Sequence, residues 1–351
     1  MNINKYLDFE PFSLNKNEKK KLFNDLINHL TNHHYKNCIE YNKFLKFFNY
    51  NPKKNKLSQI PFLPTSAFKK FILTSIPKKE IFRTLTSSGT SGNPSKIFLD
   101  KDNANNQRKV LTKIIGTILG KERVPMLIID KNPSLNKKNS FSARAVAIYG
   151  FSIFGKNHTF ILDEDGKINY KILNSFLEKY SHKKFFIFGF TSSIYEYLYQ
   201  KLSKKIVKYN FKNGVLLHGG GWKKMENIKV SNSIFKKRLN QKLKLNNIYN
   251  YYGLVEQTGS IFLDCKKCGC FVTSIYSDVI IRDKFFNEIN NGKGIIQLLS
   301  LLPTSYPGHN ILTEDIGEII NSGDCTCSSK GKRFKVYGRN KDSEIRGCSD
   351  T

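Results

Sequence analysis

Apolar residues near the start of the chain recur at helical spacing. Between residues 18 and 37, five of them fall on one face of a predicted helix: Leu22, Phe23, Leu26, Ile27 and Leu30. Residues 51–64 are rich in proline and lysine, which is typical of a connector. The first 50 residues therefore predict a helical segment that precedes the rest of the fold.

From about residue 81, apolar runs of strand length alternate with helical patterns. The predicted strands are Ile81–Thr86, Val124–Asp130, His158–Leu162, Phe185–Phe190, Gly214–His218 and Ile248–Tyr252. The predicted helices are Asp102–Leu119, Ile168–Tyr180, Ile194–Val207 and Lys223–Leu243. After about residue 260 the segments shorten and indicate a β-rich part, with turns at Asn291-Gly292 and Pro307-Gly308. The alternation predicts an α/β fold whose mostly parallel sheet is flanked by helices.

The composition is that of a globular chain. Of 351 residues, 39% are hydrophobic and 13% aromatic, which is enough to bury a large core. The mean hydropathy is −0.42, and no apolar run approaches the roughly 18 residues that a membrane-spanning helix needs. The N-terminal residues contain no hydrophobic run of signal-peptide length. These patterns predict a cytoplasmic protein without a transmembrane segment.

The net charge of +30 comes from 58 basic residues, of which 49 are lysine. The lysines are scattered through a background rich in asparagine and isoleucine, whereas proteins that read nucleic acids favour arginine. We therefore interpret the charge as compositional, steering anionic partners rather than binding nucleic acid. The runs Lys19–Lys21 and Lys236–Arg238 are expected to be solvated helix faces.

The densest chemical signal is Thr86–Lys96, which reads TSSGTSGNPSK. Its glycines let backbone amides approach an anion, its hydroxyls and amides hydrogen-bond phosphate oxygens, and Lys96 supplies charge. The spacing is not that of a Walker A motif. A flexible linker is the alternative, but a position between two strand-like segments and an ending in Pro-x-Lys favour a phosphate-binding loop.

Two motifs follow predicted strands, where ligands bind in open α/β sheets. The bare backbone of Gly219–Gly221 suits either a stacked ring or a tight turn that caps a helix. Tyr252 and Gly253 end another strand, and Glu256 beyond them is either a ligand of a phosphate-bridging Mg²⁺ or an ordinary surface glutamate. Asp315 follows a further short strand, and its carboxylate is suited to accept both hydroxyls of a ribose.

In this order the motifs resemble those of the adenylate-forming superfamily of acyl-CoA synthetases, adenylation domains and luciferases. The resemblance implies that Lys96 and Glu256 are catalytic, with Glu256 holding Mg²⁺. It also implies a set of ATP-binding residues: Ser87, Ser88, Gly89, Thr90, Ser91, Gly92, Gly219, Gly220, Gly221, Tyr252, Gly253, Asp315 and Arg339.

A closer resemblance is to the acyl-protein synthetases (LuxE), the fatty-acid-activating subunits of the fatty acid reductase complex of luminous bacteria. It runs from about residue 55 to the end and is carried by Leu85–Lys96, Phe98–Asp100, Ser140–Arg144, Gly150–Gly155, Val255–Ser260, Gly331–Lys335 and Ile345–Thr351. It implies activation of a carboxylic acid as acyl-adenylate, a thioester on Cys348 and delivery to an acyl-protein reductase subunit. It also implies the large N-terminal-type domain of the superfamily without its C-terminal lid.

Pattern and resemblance together divide the chain into four segments. They are an N-terminal helical segment at 1–60, an α/β nucleotide- and acyl-binding core at 61–260, a β-rich part with a candidate zinc site at 261–336, and a hinge-like tail with the acyl-carrier cysteine at 337–351.

Two cysteine pairs, Cys265/Cys268 and Cys325/Cys327, suit a tetrahedral structural zinc site, with Cys270 as a spare thiol. The alternative is a set of ordinary reduced thiols. The sequence thus predicts a ligase that uses ATP and Mg²⁺, with a possible structural zinc and a fatty or other carboxylic acid as substrate. The rivals are a CoA ligase of the phenylacetate type and a non-catalytic nucleotide- or nucleic-acid-binding zinc protein.

Overall fold

The computed structural model describes residues 3–51, 55–87, 94–133, 143–203, 205–207, 210–320, 325, 327 and 329–339. The chain forms two compact units. The first comprises residues 1–114, 253–263 and 270–344, and the second comprises residues 115–252, 264–269 and 345–351. Within the described ranges, no helix combines the length and the apolar character needed to cross a membrane.

The helices and strands of both units follow in chain order. The α-helices are α1 (Lys16–Asn37), α2 (Ile39–Phe47), α3 (Ala67–Lys70), α4 (Lys101–Leu119), α5 (Ala143–Ser152), α6 (Tyr170–Tyr180), α7 (Thr191–Ser193) and α8 (Asn232–Leu243). The strands are β1 (Leu63–Pro64), β2 (Arg83–Thr86), β3 (Lys96–Leu99), β4 (Val124–Ile128), β5 (Gly155–Phe160), β6 (Phe185–Phe190), β7 (Gly214–Gly219), β8 (Asn247–Tyr252), β9 (Phe262–Asp264), β10 (Phe271–Val272), β11 (Ser277–Arg282), β12 (Glu288–Ile289), β13 (Gly294–Ser300), β14 (Asn310–Ile320) and β15 (Arg333–Arg339).

The first unit begins with the predicted helix. The Asn15 side chain accepts hydrogen bonds from the backbone N–H groups of Asn17 and Glu18, and the Glu18 carboxylate accepts from the N–H of Asn15. This capping box fixes the start of α1, and the five apolar residues predicted to share one face are all buried. The prediction of a helical N-terminal segment is confirmed.

The sheet of the first unit has the order β12-β11-β13-β14-β15-β10-β9. Strands β11 to β15 pair antiparallel, as does β10 with β15, whereas the short β1 runs parallel to β14. Strands β2 and β3 form a separate antiparallel hairpin. This architecture confirms the predicted β-rich C-terminal part.

The second unit contains a parallel sheet with the order β5-β4-β6-β7-β8. Every residue of β6 is buried, in keeping with its uninterrupted apolar sequence. Helices α6 and α8 contribute Leu173, Leu177, Phe235 and Leu239 to the apolar core that covers the sheet. The unit confirms the predicted α/β class.

Two predicted helices have different forms. The pattern over Lys223–Leu243 predicts one helix, but a 3-10 helix over Lys223–Ile228 ends before α8 starts. Ser231 caps α8 by accepting a hydrogen bond from the N–H of Ile234, which favours the start of a separate helix at Asn232. The predicted helix Ile194–Val207 is a π-helix that ends at Lys201.

Two lysines predicted to be solvated are largely buried. Lys19 donates to Thr273 Oγ1 at 2.6 Å and lies 3.6 Å from Asp278 in the first unit. Lys236 pairs with Asp264 at 2.7 Å in the second unit. Both carboxylates are themselves mostly inaccessible to solvent, so each recruits a cation from a distant part of the sequence. The expectation of solvated faces is wrong for these two residues.

Candidate functional site

The predicted phosphate-binding loop is the connection of the hairpin formed by β2 and β3. Thr86 pairs with Lys96 at the end of the ladder. Beyond them, the N–H of Ser87 donates to the carbonyl of Ser95 at 3.1 Å, and the N–H of Ser95 donates to Ser87 Oγ at 2.9 Å. The hairpin thus closes the base of the loop and leaves Lys96 exposed there. Ser88, Gly89, Thr90, Ser91 and Gly92 lie outside the described residues.

Glu256 lies in a 3-10 turn over Val255–Gln257 and is only 7% exposed. Its backbone carbonyl accepts a hydrogen bond from the Tyr306 hydroxyl at 3.0 Å. The buried side chain of Gln257 donates to the carbonyls of Leu298 and Gly308, at 3.1 and 2.7 Å. The turn that carries Glu256 is therefore held by β13 and the β13–β14 connection as well as by its own backbone hydrogen bonds.

Helix α4 holds the other side of the turn. Thr258 donates to Gln107 Oε1 at 2.6 Å, and Gln107 donates to Asn103 Oδ1 at 3.1 Å. Gly259 has φ +84°, and a Cβ at this position would lie 2.8 Å from the Cα of Gln107, so only glycine fits.

The sequence analysis missed these supporting residues of α4. The signal was present, because Asn103 and Gln107 are buried and continue the stripe that Val110 and Ile114 form on the helix. Polar residues on an otherwise apolar helix face indicate a buried hydrogen-bond partner.

Burial raises the pKa of the Glu256 carboxyl, and Ser95, Lys69 and Arg339 oppose that shift. The carboxyl and the Ser95 hydroxyl are oxygen donors, which is the ligand type that Mg²⁺ prefers. A carboxyl that burial pushes toward its neutral form is ionised most readily when a cation binds it. The residues around Glu256 therefore fit a magnesium ion.

Asp315 and Arg339 face each other across β14 and β15, where the register pairs them directly. The N–H of Asp315 donates to Thr313 Oγ1 at 3.0 Å. Arg339 is exposed, and its positive charge opposes the upward shift of the Glu256 pKa. The first unit thus brings together three residues that the sequence analysis placed in separate motifs: Glu256, Asp315 and Arg339.

In the second unit, the predicted ring-stacking glycines lie at the carboxyl end of β7. Gly219 pairs with Tyr251 on β8, and a Cβ on Gly219 would come within 2.4 Å of the Tyr251 ring. Gly220 has φ +79°, which favours glycine, and Gly221 has open space where a Cβ would be. Tyr252 ends β8 beside this segment, so the parallel register brings the two predicted motifs to one edge of the sheet.

Thr191 and His218 hold the glycine segment in place. The Thr191 hydroxyl donates to the carbonyl of Gly219 at 3.1 Å, and its oxygen lies 3.0 Å from His218 Nδ1. Because that hydroxyl has a single proton, Nδ1 must be the donor and His218 carries its proton there. Burial and then the charge of Lys236 lower the pKa of His218 to about 3, which keeps the ring neutral.

The cysteines of the predicted zinc site are divided between the units. Cys325 and Cys327 belong to the first, where their sulfur atoms lie within 4.8 Å of each other and Arg333 donates to Cys327 Sγ at 2.8 Å. Cys265 and Cys268 belong to the second. Thiols are suitable zinc ligands, and a shared site remains a prediction. Cys348 lies outside the described residues.

The whole chain is similar to one protein family. The family model for acyl-protein synthetase, LuxE, matches residues 2–351. A long-chain-fatty-acid–luciferin-component ligase of Aliivibrio fischeri is 24% identical over 315 residues, which cover 86% of this chain and 80% of that protein. The ligase of the same name from Photorhabdus luminescens is 33% identical over 84 residues, 24% of this chain and 72% of that protein.

Among solved structures, an open conformation of 2-hydroxyisobutyryl-CoA ligase in complex with 2-HIB-AMP and CoA has a TM-score of 0.70. The match covers 96% of this chain and 78% of that one at 12% identity. The same ligase in the thioesterification state has a TM-score of 0.68, with coverage of 94% and 70%. At this level of identity the likeness is one of fold.

Proposed function

Because the chain belongs to the acyl-protein synthetase (LuxE) family, a family of ligases, we propose that it uses ATP to activate a fatty acid and then carries the acyl group as an enzyme thioester. The observation that carries this proposal is the family match over residues 2–351. The convergence of Glu256, Asp315 and Arg339 within the first unit supports it, since an ATP-dependent ligase needs a carboxylate for magnesium and acceptors for ribose.

In the first step, a carboxylate oxygen of the fatty acid attacks the α-phosphorus of ATP, an O–P bond forms, and the bond to pyrophosphate breaks. Pyrophosphate leaves with the electron pair, so no redox change occurs. The loop over Ser87–Lys96 holds the pyrophosphate through its amides and hydroxyls, and Lys96 adds charge. Magnesium held by Glu256 would offset negative charge on the phosphates.

Nucleotide positioning is assigned to the strand ends. Asp315 accepts from the ribose hydroxyls, and Arg339, which the strand register places opposite it, supplies positive charge for the phosphates. The bare backbone at Gly219–Gly221 accepts the flat face of adenine, with Tyr252 beside it. These roles follow the motif match residue by residue and are supported by the strand registers.

In the second step, the Cys348 thiolate attacks the carbonyl carbon of the acyl-adenylate. A C–S bond forms, the C–O bond to AMP breaks, and AMP leaves with the electron pair. Arg346, two residues away in sequence, favours the thiolate by charge. An acyl-protein reductase subunit then receives the acyl group. A CoA ligase would instead give the acyl group to free CoA.

Pyrophosphate release with a panel of carboxylic acids tests the first step. We expect Lys96→Ala, Glu256→Gln and Asp315→Ala each to lower the rate by about 10²–10³-fold. The first two remove groups that stabilise charge on the phosphates in the transition state, and the third removes the ribose acceptor that positions ATP. The matched control is Glu288→Gln, because Glu288 is an exposed glutamate on β12 in the same unit. The proposal is contradicted if wild type releases no pyrophosphate with any acid, or if all four variants release pyrophosphate at the same rate. Acyl transfer that requires added CoA supports the CoA ligase instead.

A further inference from the structure

Helix α3 is placed by a short parallel strand pair. Leu63 and Pro64 of β1 pair with Ile311 and Leu312 of β14, and the N–H of Thr65 donates to the carbonyl of Leu312 at 3.0 Å. The two segments therefore run side by side in the same direction. Where β14 continues toward Asp315, the segment that follows β1 turns into α3, which ends in Lys69 and Lys70.

The body of α3 contacts two other parts of the candidate site. The ring of Phe68 packs edge-on against Tyr306, with centroids 6.3 Å apart, and Tyr306 donates to the carbonyl of Glu256. Helix α3 also contacts β3, the strand that begins at Lys96 where the phosphate loop ends. Helix α3 thus borders both the strand that follows the phosphate loop and the tyrosine that holds the Glu256 turn.

Lys69 is the residue of α3 whose charge reaches the site. Its side chain is partly buried, and its positive charge counters the upward shift of the Glu256 pKa. Yet, in the portion of the chain that the structure describes, the Lys69 ammonium takes part in no hydrogen bond or ion pair. Among the described residues, none occupies the three donors of this ammonium. Lys70, the next residue, is exposed.

We infer that the Lys69 ammonium binds the phosphate groups of ATP and stabilises the negative charge that grows as the acyl carboxylate displaces pyrophosphate. This inference rests on the proposed function. In this role Lys69 acts only as a hydrogen-bond donor and a point charge, so no bond to it forms or breaks. An anionic ligand with several oxygens matches a partly buried ammonium on a helix that contacts β3 and the tyrosine of the Glu256 turn.

The test compares Lys69→Met, Lys69→Arg and the matched control Lys70→Met. Equilibrium binding of ATP is measured without any acid, and kcat and KM for ATP are measured by pyrophosphate release with an acid that wild type uses. We expect Lys69→Met to weaken ATP binding and to lower kcat/KM by about 10²-fold. Lys69→Arg restores part of both, and Lys70→Met stays within about twofold of wild type.

A purely structural role for Lys69 gives a different pattern. If Lys69 only balances the charge of Glu256, Lys69→Met has no effect on ATP binding in a Glu256→Gln background, and that result overturns the inference. Equal ATP affinity of Lys69→Met and Lys70→Met, both with wild-type melting temperatures, also overturns it. The proposed function fails separately, when wild type binds ATP but makes no pyrophosphate with any acid.

Discussion

Replacing His218 with asparagine removes a buried imidazole whose charge state links the stability of the second unit to pH. The ring is 1% exposed, donates from Nδ1 to Thr191 and packs on Phe235 with centroids 4.4 Å apart. Within the described residues, Nε2 has no hydrogen-bond partner. A second proton, added to Nε2, would therefore be buried without an acceptor and close to the positive charge of Lys236.

The magnitude follows from the two pKa values of His218. It is about 3 in the folded chain and about 6.5 in an unfolded one. Below pH 6.5 the unfolded chain binds the proton and the folded chain does not, so the free energy of unfolding falls as the pH decreases. Between pH 7.5 and pH 5, this single residue accounts for a loss of about 2 kcal/mol.

Urea unfolding at pH 7.5 and pH 5, followed by tryptophan fluorescence, measures this loss. Trp222 is the only tryptophan of the chain, and it packs against Phe235 in the same unit. Asparagine keeps an N–H donor for Thr191 but loses the ring, so His218→Asn is less stable at pH 7.5. It then loses about 2 kcal/mol less than wild type on going to pH 5. Equal losses in the two proteins would refute the reasoning.

Three further predictions concern other parts of the chain. With ATP and a radiolabelled fatty acid, wild type forms a hydroxylamine-sensitive thioester and Cys348→Ser does not; full thioester labelling of the variant removes the acyl-carrier assignment. Asp278→Asn leaves Lys19 buried without its carboxylate and lowers the free energy of unfolding by about 3–5 kcal/mol; an unchanged urea midpoint contradicts this. Elemental analysis of the purified protein finds about one zinc per chain, and stripping it lowers the melting temperature before it alters acid specificity. A folded, active preparation without zinc leaves the cysteines as reduced thiols, namely Cys265, Cys268, Cys325 and Cys327.

Local patterns predicted the parallel sheet of the second unit well. Strand Phe185–Phe190 has the bounds that the sequence predicts, because an uninterrupted apolar run of six residues suits a strand buried on both faces. The loop after Ile81–Thr86 was equally accessible, because its serines and glycines are a local signal, but the antiparallel return strand β3 was not predicted. The break before α8 was missed, because a helical apolar pattern continues through a capping serine.

Features that depend on distant partners could not be predicted in the same way. Lys19 contacts Thr273, 254 residues away, and nothing near Lys19 distinguishes it from the neighbouring solvated lysines. The hydrogen bond from Thr258 to Gln107 spans 151 residues. In the sequence Lys69 is an ordinary member of a lysine-rich segment, and its place in the candidate site depends on the pairing of β1 with β14. The sequence motifs thus identified groups that would contact a ligand more readily than the side chains that hold those groups in place.

The division of the chain between its units has a consequence for biosynthesis. The second unit draws its sheet from one nearly continuous stretch, residues 115–252, whereas the first combines residues 1–114 with residues 270–344. During translation the parallel sheet can form while the chain is still being made, but α1 emerges early and meets Asp278 only when β11 has left the ribosome. Until then, Lys19 lacks its carboxylate partner, and α1 can pack only against segments that are already made, such as the helix that follows it. The first unit is therefore completed only after the parallel sheet of the second has been synthesised.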